Sequence, residues 1–335
     1  MDIAWPWSAE AAPVARLARE IAARGYAVIR ADTADLAPAE AARSPWTYAE
    51  RLVGKEPRMV ERQPIKAVPH GRSFAAGDGP APLHTDSQVH AGAPADVQVL
   101  ACARPADTGG EHLLIDGFAL LDRVRAADPD LYRLLFEAPR RIPFVFGDVF
   151  GPTVAERGGA LAFTHAPFVA RGDSIAHRLA PFVEAAPTLV FSTRAGEVLV
   201  ADNRRMLHGR RAFTGAREYV RLLIWTRGEL RAPAPEPHAS YAAHVAARAR
   251  QALASAPLGV RQRLGLTTAL PGEARLSLVL AMLRGVPPGV LAARAQIPEP
   301  ELYRLREAAL TAAGAALSEG ALPGSDEEVW GYLTS

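Results

Sequence analysis

The chain has 335 residues, 49% of them apolar, and its 38 basic and 36 acidic side chains leave a formal net charge of +2. That length can bury a large core and carry an appendage, while the interspersed charges form no basic block of the kind that tracks a phosphate backbone, so nucleic acid is not an expected partner. No apolar run reaches the roughly 18 to 20 residues that span a bilayer, the opening Met1-Asp2-Ile3-Ala4-Trp5-Pro6-Trp7 lacks a leader pattern, and the single Cys102 excludes a disulfide framework; a cytoplasmic protein without membrane contact is expected.

Residues Glu10 to Arg24 carry Val14, Leu17 and Ile21 at helical spacing, Gly25 stops the helix, and Tyr26 to Arg30 alternates like a strand. Residues 31–82 are rich in Pro, Gly and Ala with few long periodic runs, and Gly77-Asp78-Gly79-Pro80 is strong turn punctuation, so a mobile loop is expected there. Short strand-like runs follow: Val97 to Ala103, Leu113 to Ile115, Pro143 to Phe146, Leu161 to Phe163, Leu189 to Ser192, Glu197 to Ala201 and Tyr219 to Trp225. Their spacing is that of an all-β sandwich or barrel, interrupted by two helices, Gly117 to Ala126 and Pro129 to Phe136.

The proline-rich stretch from Arg231 to His238 is the clearest composition break. Beyond it Tyr241 to Ala254, Ala274 to Arg284, Pro287 to Ala295 and Pro298 to Leu317 read as helix. The predicted fold is therefore mainly β with helices, residues 1–232 forming a catalytic body and 233–335 an all-α appendage with a helix-turn-helix-like unit.

Leu83-His84-Thr85-Asp86 sets an imidazole and a carboxylate two residues apart, which on an extended strand end puts both on one face. Two histidines and one carboxylate on one face of iron(II) leave three positions for co-substrate and oxygen. The second imidazole is best supplied by His208, in Asp202-Asn203-Arg204-Arg205-Met206-Leu207-His208-Gly209-Arg210. Thirteen residues later Arg221 interrupts the apolar strand Tyr219-Val220-Arg221-Leu222-Leu223-Ile224-Trp225. An inward guanidinium there needs an anion, and its planar fork suits a carboxylate; strand alternation alone leaves its direction open.

These residues resemble the taurine dioxygenase-like (TauD/TfdA) branch of the iron/2-oxoglutarate oxygenases, near its gamma-butyrobetaine hydroxylase-like and clavaminate synthase-like members. The resemblance covers roughly residues 10 to 230 and rests on His84-Thr85-Asp86, the Gly109-Gly110-Glu111 turn, Asp202-Asn203 leading to His208-Gly209-Arg210, and Arg221. It implies a double-stranded β-helix, a jelly-roll, with Fe(II) held by His84, Asp86 and His208 and 2-oxoglutarate as co-substrate. The spacing after His208 favours Arg221 for the far carboxylate of 2-oxoglutarate, as in gamma-butyrobetaine hydroxylase-like proteins. Clavaminate synthase-like proteins place that arginine four residues earlier, here Arg217. Taurine dioxygenase-like proteins carry a threonine where this chain has His112, whose imidazole either donates the same hydrogen bond or serves structure.

The implied reaction consumes O2 and 2-oxoglutarate, releases succinate and CO2, and hydroxylates an unactivated carbon of a small molecule. Asp86 fills the position that related halogenases leave to chloride, so hydroxylation or desaturation is expected. Gln63, Lys66, His70, Arg72, Ser87, Gln88 and Arg205 flank the motifs, and their cationic bias suggests a carboxylate-bearing, amino-acid-like substrate. Among the other histidines, His165 is the one expected to approach the site.

Two other classes compete. A DNA-binding regulator with a degenerate jelly-roll sensor would turn Arg304 and Arg306 toward a groove, but the even charge balance of the tail speaks against strong phosphate attraction. Docking onto the body, homo-oligomer formation or another partner contact are the readings kept for those helices. A zinc hydrolase would leave Arg221 unexplained.

Overall fold

The computed structural model describes residues 3–5, 11–31, 36–67, 71, 77–87, 94–142, 149–157, 160–166, 172–254, 272–283, 288–295, 297 and 299–318. The first part of the chain runs β1 (Ile3–Trp5), α1 (Ala11–Arg24), β2 (Tyr26–Ala31), α2 (Leu36–Arg43), α3 (Pro45–Val53), β3 (Met59–Lys66), β4 (Ala81–His84), β5 (Val97–Arg104), β6 (Thr108–Gly109) and β7 (His112–Asp116). It continues through α4 (Gly117–Ala127), α5 (Pro129–Glu137), β8 (Arg140–Ile142), β9 (Val149–Gly151), β10 (Val154–Arg157), β11 (Ala160–Phe163), α6 (Ser174–Glu184), β12 (Leu189–Phe191), β13 (Val198–Asp202), β14 (Met206–Arg210), β15 (Phe213–Thr214) and β16 (Glu218–Trp225). The C-terminal helices are α7 (Glu236–Ala254), α8 (Gly272–Leu283), α9 (Pro288–Ala295) and α10 (Glu299–Ser318).

Two sheets carry the body. One has six strands in the order β1-β2-β13-β5-β16-β3, the other four in the order β12-β7-β14-β4. All pairings within them are antiparallel except β1 with β2. Side chains on a strand alternate between faces, and here the alternation separates three cores. Val97, Val99 and Ala101 of β5, Val198 and Val200 of β13, and Val220, Leu222 and Ile224 of β16 pack with Leu17, Ile21, Tyr48 and Leu52 of the N-terminal helices. Their in-between neighbours Leu100, Cys102, Leu199, Ala201 and Tyr219 pack instead with Leu114 and Met206 of the second sheet. The outer face of that second sheet, through Ile115 and Leu207, is covered by α4, α5 and α6.

The body is thus two sheets facing each other between two helical layers, and inward residues of β5, β13, β16, β7 and β14 meet between them. This alternation fixes Arg221 on the inner face, with Tyr219, and not on the helix-covered face.

Residues 36–66 hold more regular structure than their few long periodic runs suggested. Tyr48, Ala49, Leu52 and Val53 form a buried stripe on α3, with Pro45 in its first turn and Gly54 (φ 77°) closing its end, and β3 pairs along its whole length with β16. The apolar stripe is short and alanine-diluted, which is why composition hid it. Helix α6 is a third helix among the strands, started by the Asp173 side chain accepting from Ala176 N. The strand expected at 143–146 lies outside the described residues.

In the C-terminal part, Tyr241, Ala242 and Val245 of α7 join the core under α5, while Met282, Leu291, Leu302 and Tyr303 give α8–α10 a small core of their own. Helix α10 also touches β3 and β9. Among the described residues no helix is long and apolar enough to cross a membrane.

Candidate active site

Strand β4 ends at His84, and its backbone partner across the sheet is His208 on β14. The register shifts between His208 and Arg210, and a Cβ on Gly209 would lie 2.8 Å from the Ala81 carbonyl, so glycine lets the two histidine-bearing strands approach closely. The imidazole centroids lie 4.3 Å apart. His84 Nδ1 sits 2.8 Å from the Pro82 carbonyl; donating there leaves its Nε2 lone pair facing inward.

Asp86 reaches the same spot from the turn after β4. Asn203 holds that turn: its Oδ1 accepts from Asp86 N at 2.7 Å, and its amide donates to the carbonyls of Asp86 and Ala95 at 3.0 Å each. Ser87 then takes a left-handed φ of 62°, and Thr85 is tied to His165 by backbone and hydroxyl contacts at 3.0 Å. The ligating atoms of His84, Asp86 and His208 all lie within 4.8 Å of one another, a grouping that no other His, Cys, Asp or Glu cluster among the described residues shows.

Charge at this cluster is set by opposing effects. Burial pushes the Asp86 carboxyl up, but Arg221, His208 and His84 together with the Gln98 amide outweigh it and bring its pKa to about 2. Burial, with His84 beside it, lowers the His208 pKa to about 3. Near neutral pH the site therefore offers one carboxylate anion and a neutral buried imidazole, the forms a metal ion requires. Two imidazole nitrogens and a carboxylate oxygen converging in a protein interior fit a ferrous ion.

Further polar groups extend along the inner faces. Arg221 Nη1 donates to Asp86 Oδ1 at 2.7 Å and its Nη2 to Gln63 Oε1; its side chain is 19% exposed. Register places His112 opposite Arg210 on β14, one inward step from His208. His112 Nε2 lies 3.0 Å from Thr193 Oγ1, which lies 2.8 Å from the Tyr219 hydroxyl. Burial, with Arg217 and Arg210 nearby, lowers the His112 pKa to about 3. Arg217 is 5% exposed, lies 4.0 Å over the Tyr219 ring, and its Nε has no partner among the described residues.

The other expected lining residues divide. Gln63 meets Arg221, and Ser87 is buried beside Asp86. Lys66 pairs with Glu218 and Arg205 with Asp116, neither at the histidine cluster. His70, Arg72 and Gln88 lie outside the described residues. Sequence reading missed Gln98, whose amide contacts both Asp86 and His208, and the clamp role of Asn203. An amide inside the apolar run Val97 to Cys102 was the available signal for the first. In the tail, Arg306 is buried and Arg304 pairs with Glu301, so the two are not presented together to a groove.

Two histidines and one carboxylate on neighbouring strand ends, inside facing antiparallel sheets and backed by inward arginines, define a protein built around a facial metal site. The chain belongs to the taurine catabolism dioxygenase TauD, TfdA family, whose model matches residues 2–172 and 161–223. It is 32% identical over 155 residues to the gamma-butyrobetaine dioxygenase of Pseudomonas sp. (strain AK-1), and 29% identical over 159 residues to the mitochondrial trimethyllysine dioxygenase of Gallus gallus. Each match covers 40% of this chain and 40% or 38% of the relative, so the chain spans well under half of their length. Similar solved structures include an asparagine oxygenase in complex with Fe(II), 2S,3S-3-hydroxyasparagine and succinate (TM-score 0.47, 19% identity, 64% of this chain and 78% of that chain). Another is the non-heme iron oxygenase OrfP with Fe and alpha-ketoglutaric acid (TM-score 0.46, 17% identity, 68% and 94%).

Proposed function

We propose that the protein is an Fe(II)- and 2-oxoglutarate-dependent dioxygenase that hydroxylates a small, carboxylate-bearing, amino-acid-like substrate. In this reading the facing sheets are a double-stranded β-helix, residues 1–232 form the oxygenase domain, and 233–335 form a helical domain bridged to it by α7. The observation that carries the reading is the convergence of His84, Asp86 and His208 within 4.8 Å on an inner face that also carries two arginines. Family membership supports it.

When bound, the ferrous ion and 2-oxoglutarate supply the oxidising chemistry, in which O2 and the keto acid yield succinate, CO2 and a hydroxylated substrate carbon. The protein's own residues bind and orient. Asp86 stays anionic and His208 neutral, so both present lone pairs. Leu100, Leu114 and Leu199 wall the interior with buried apolar surface and exclude water.

The geometry favours Arg217 and His112 for the far carboxylate of the keto acid. His112 lies across the sheet from Arg210, the next inward residue after His208 on β14, so it stands one strand over and one strand step of roughly 7 Å along from the triad, and Arg217 is near enough to act on it. Burying a cation without a counter-ion is costly, and the groups acting on Arg217 are the Tyr219 phenol and the Cys102 thiol, not carboxylates. Arg221, partly exposed and facing Asp86, is then left for an anionic group of the substrate. A second reading keeps Arg221 as the clamp, favoured by its spacing from His208 and its hydrogen bond at the triad.

Screening the iron-loaded protein against amino acids and betaine-like acids for substrate-stimulated succinate formation tests the proposal. Stimulation by carboxylate-bearing compounds is expected. Iron-independent turnover, or stimulation confined to compounds without a carboxylate, would contradict it.

A further inference from the structure

Gln98 has an unusual setting. On β5 it alternates with the outward Val97 and Val99 and shares the inner face with Leu100 and Cys102; its partners across the sheet are Ala201 and Leu223. None of these asks for an amide, yet the side chain is 2% exposed. A buried polar group in such surroundings has a reason for being there.

Its contacts supply one. Gln98 Nε2 lies 2.5 Å from Asp86 Oδ2 and 2.7 Å from His208 Nε2, so its two N–H groups aim at lone pairs that a metal ion would use. The reversed amide would set a carbonyl oxygen against a carboxylate, lone pair against lone pair, which fixes the donor orientation. The Oε1 atom is buried without a partner among the described residues.

The Asp86 carboxylate faces both histidines. Its Oδ1 lies 3.8 Å from His84 Nε2 and its Oδ2 3.6 Å from His208 Nε2. A metal held by the two rings would have both oxygens on offer, and a carboxylate that chelated it would take a coordination position that co-substrate or oxygen needs. Arg221 covers Oδ1 from the open side, and an incoming anion competes for that guanidinium. Gln98 is enclosed, and once the lone pair of His208 is taken Oδ2 is the remaining acceptor of its amide among the described residues.

We propose that Gln98 is a positioning residue of the metal centre, its amide holding Asp86 Oδ2 so that the carboxylate gives a metal one oxygen and not two. The proposal rests on the metal-centre reading of His84, Asp86 and His208. Partners of metal ligands in this position fix the orientation in which the ligating atom is presented.

Cobalt(II) titration of the full chain under argon, followed by 2-oxoglutarate, tests it by visible absorption. The wild type is expected to bind cobalt and to change its d–d bands when the keto acid is added. Gln98→Met, which keeps length and removes the donors, and Gln98→Leu, which removes the amide and leaves an apolar side chain, are both expected to show altered cobalt bands before the keto acid is added. Both are also expected to lose about tenfold or more in keto-acid affinity, with cobalt affinity retained within about threefold. A purely structural glutamine would lower the melting temperature of the variants and leave bands and keto-acid affinity at wild-type values, which overturns the proposal. Complete loss of cobalt from folded variants overturns it too, since Gln98 would then build the triad, not shape it. If Gln98→Met does not fold, Gln98→Leu decides. A wild type that binds no cobalt sinks the metal-centre reading itself, an outcome distinct from variants that match a metal-binding wild type.

Discussion

Asp86 and Arg221, 135 positions apart in the chain, meet at 2.7 Å between Oδ1 and Nη1. The contact joins the turn after β4 to the middle of β16, and so ties the candidate metal ligand on one sheet to a cation on the other. It also makes the two arginines of the inner face unequal. Arg221 already has a carboxylate; Arg217, the more enclosed of the two, has none among the described residues.

That inequality yields a discriminating pair of variants. Arg217→Ala is expected to raise the KM for 2-oxoglutarate by about tenfold or more, the loss of a charge-assisted hydrogen bond, whereas Arg221→Ala is expected to act mainly on the KM for the carboxylate substrate. Steady-state kinetics with each compound varied in turn provides the check. The opposite ranking gives the clamp to Arg221.

Asn203 makes a second prediction. Its side chain satisfies both the N–H and the C=O of Asp86, so Asn203→Ala leaves buried backbone groups unpaired. A cost of about 2–3 kcal/mol in stability is expected, together with metal affinity weakened by about tenfold or more. Denaturant unfolding and metal titration measure the two separately, and unchanged metal affinity would show that the turn holds Asp86 without it.

How much of this could be read from the chain follows from the kind of signal each part leaves. His84-Thr85-Asp86 and the strand around Arg221 were legible because local alternation carries the spacing, whereas the direction of Arg221 came only with the packing of the two faces of β16. The helices in 31–67 were not, since α2 and α3 are only 8 and 9 residues long, and their identity comes from packing on the six-stranded sheet. Asn203 appeared only as a family feature, because its partner lies 117 positions away. Gln98 and the His112–Thr193–Tyr219 chain depend on register between strands distant in sequence, which no local pattern encodes.

The buried histidines set the response to acid. His112 and His165 are held neutral mainly by burial, with pKa values lowered to about 3 and about 4, against about 6.5 in an unfolded chain. The folded state thus binds fewer protons than the unfolded one, and stability falls as pH drops below 6.5, by about 1.4 kcal/mol per pH unit for each histidine. Asp202 opposes this between about 6 and its ordinary range, because burial raises its pKa to about 6 and the folded state there binds the extra proton. His208, lowered to about 3, acts in the same direction, and three histidines against one aspartate leave a net loss on acidification. Melting temperatures from pH 7.5 to 5 should show it, and His112→Gln should flatten the slope; an unaltered slope would mean that His112 protonates as freely in the fold as outside it.

The central claim is that His84, Asp86 and His208 hold a ferrous ion on which 2-oxoglutarate chelates. Anaerobic addition of iron(II) and then 2-oxoglutarate to the purified chain, followed by visible absorption, tests it most directly. A weak charge-transfer band is expected that needs both additions and vanishes in Asp86→Ala and His208→Ala. No band in the wild type, or a band that survives in either variant, would contradict the assignment.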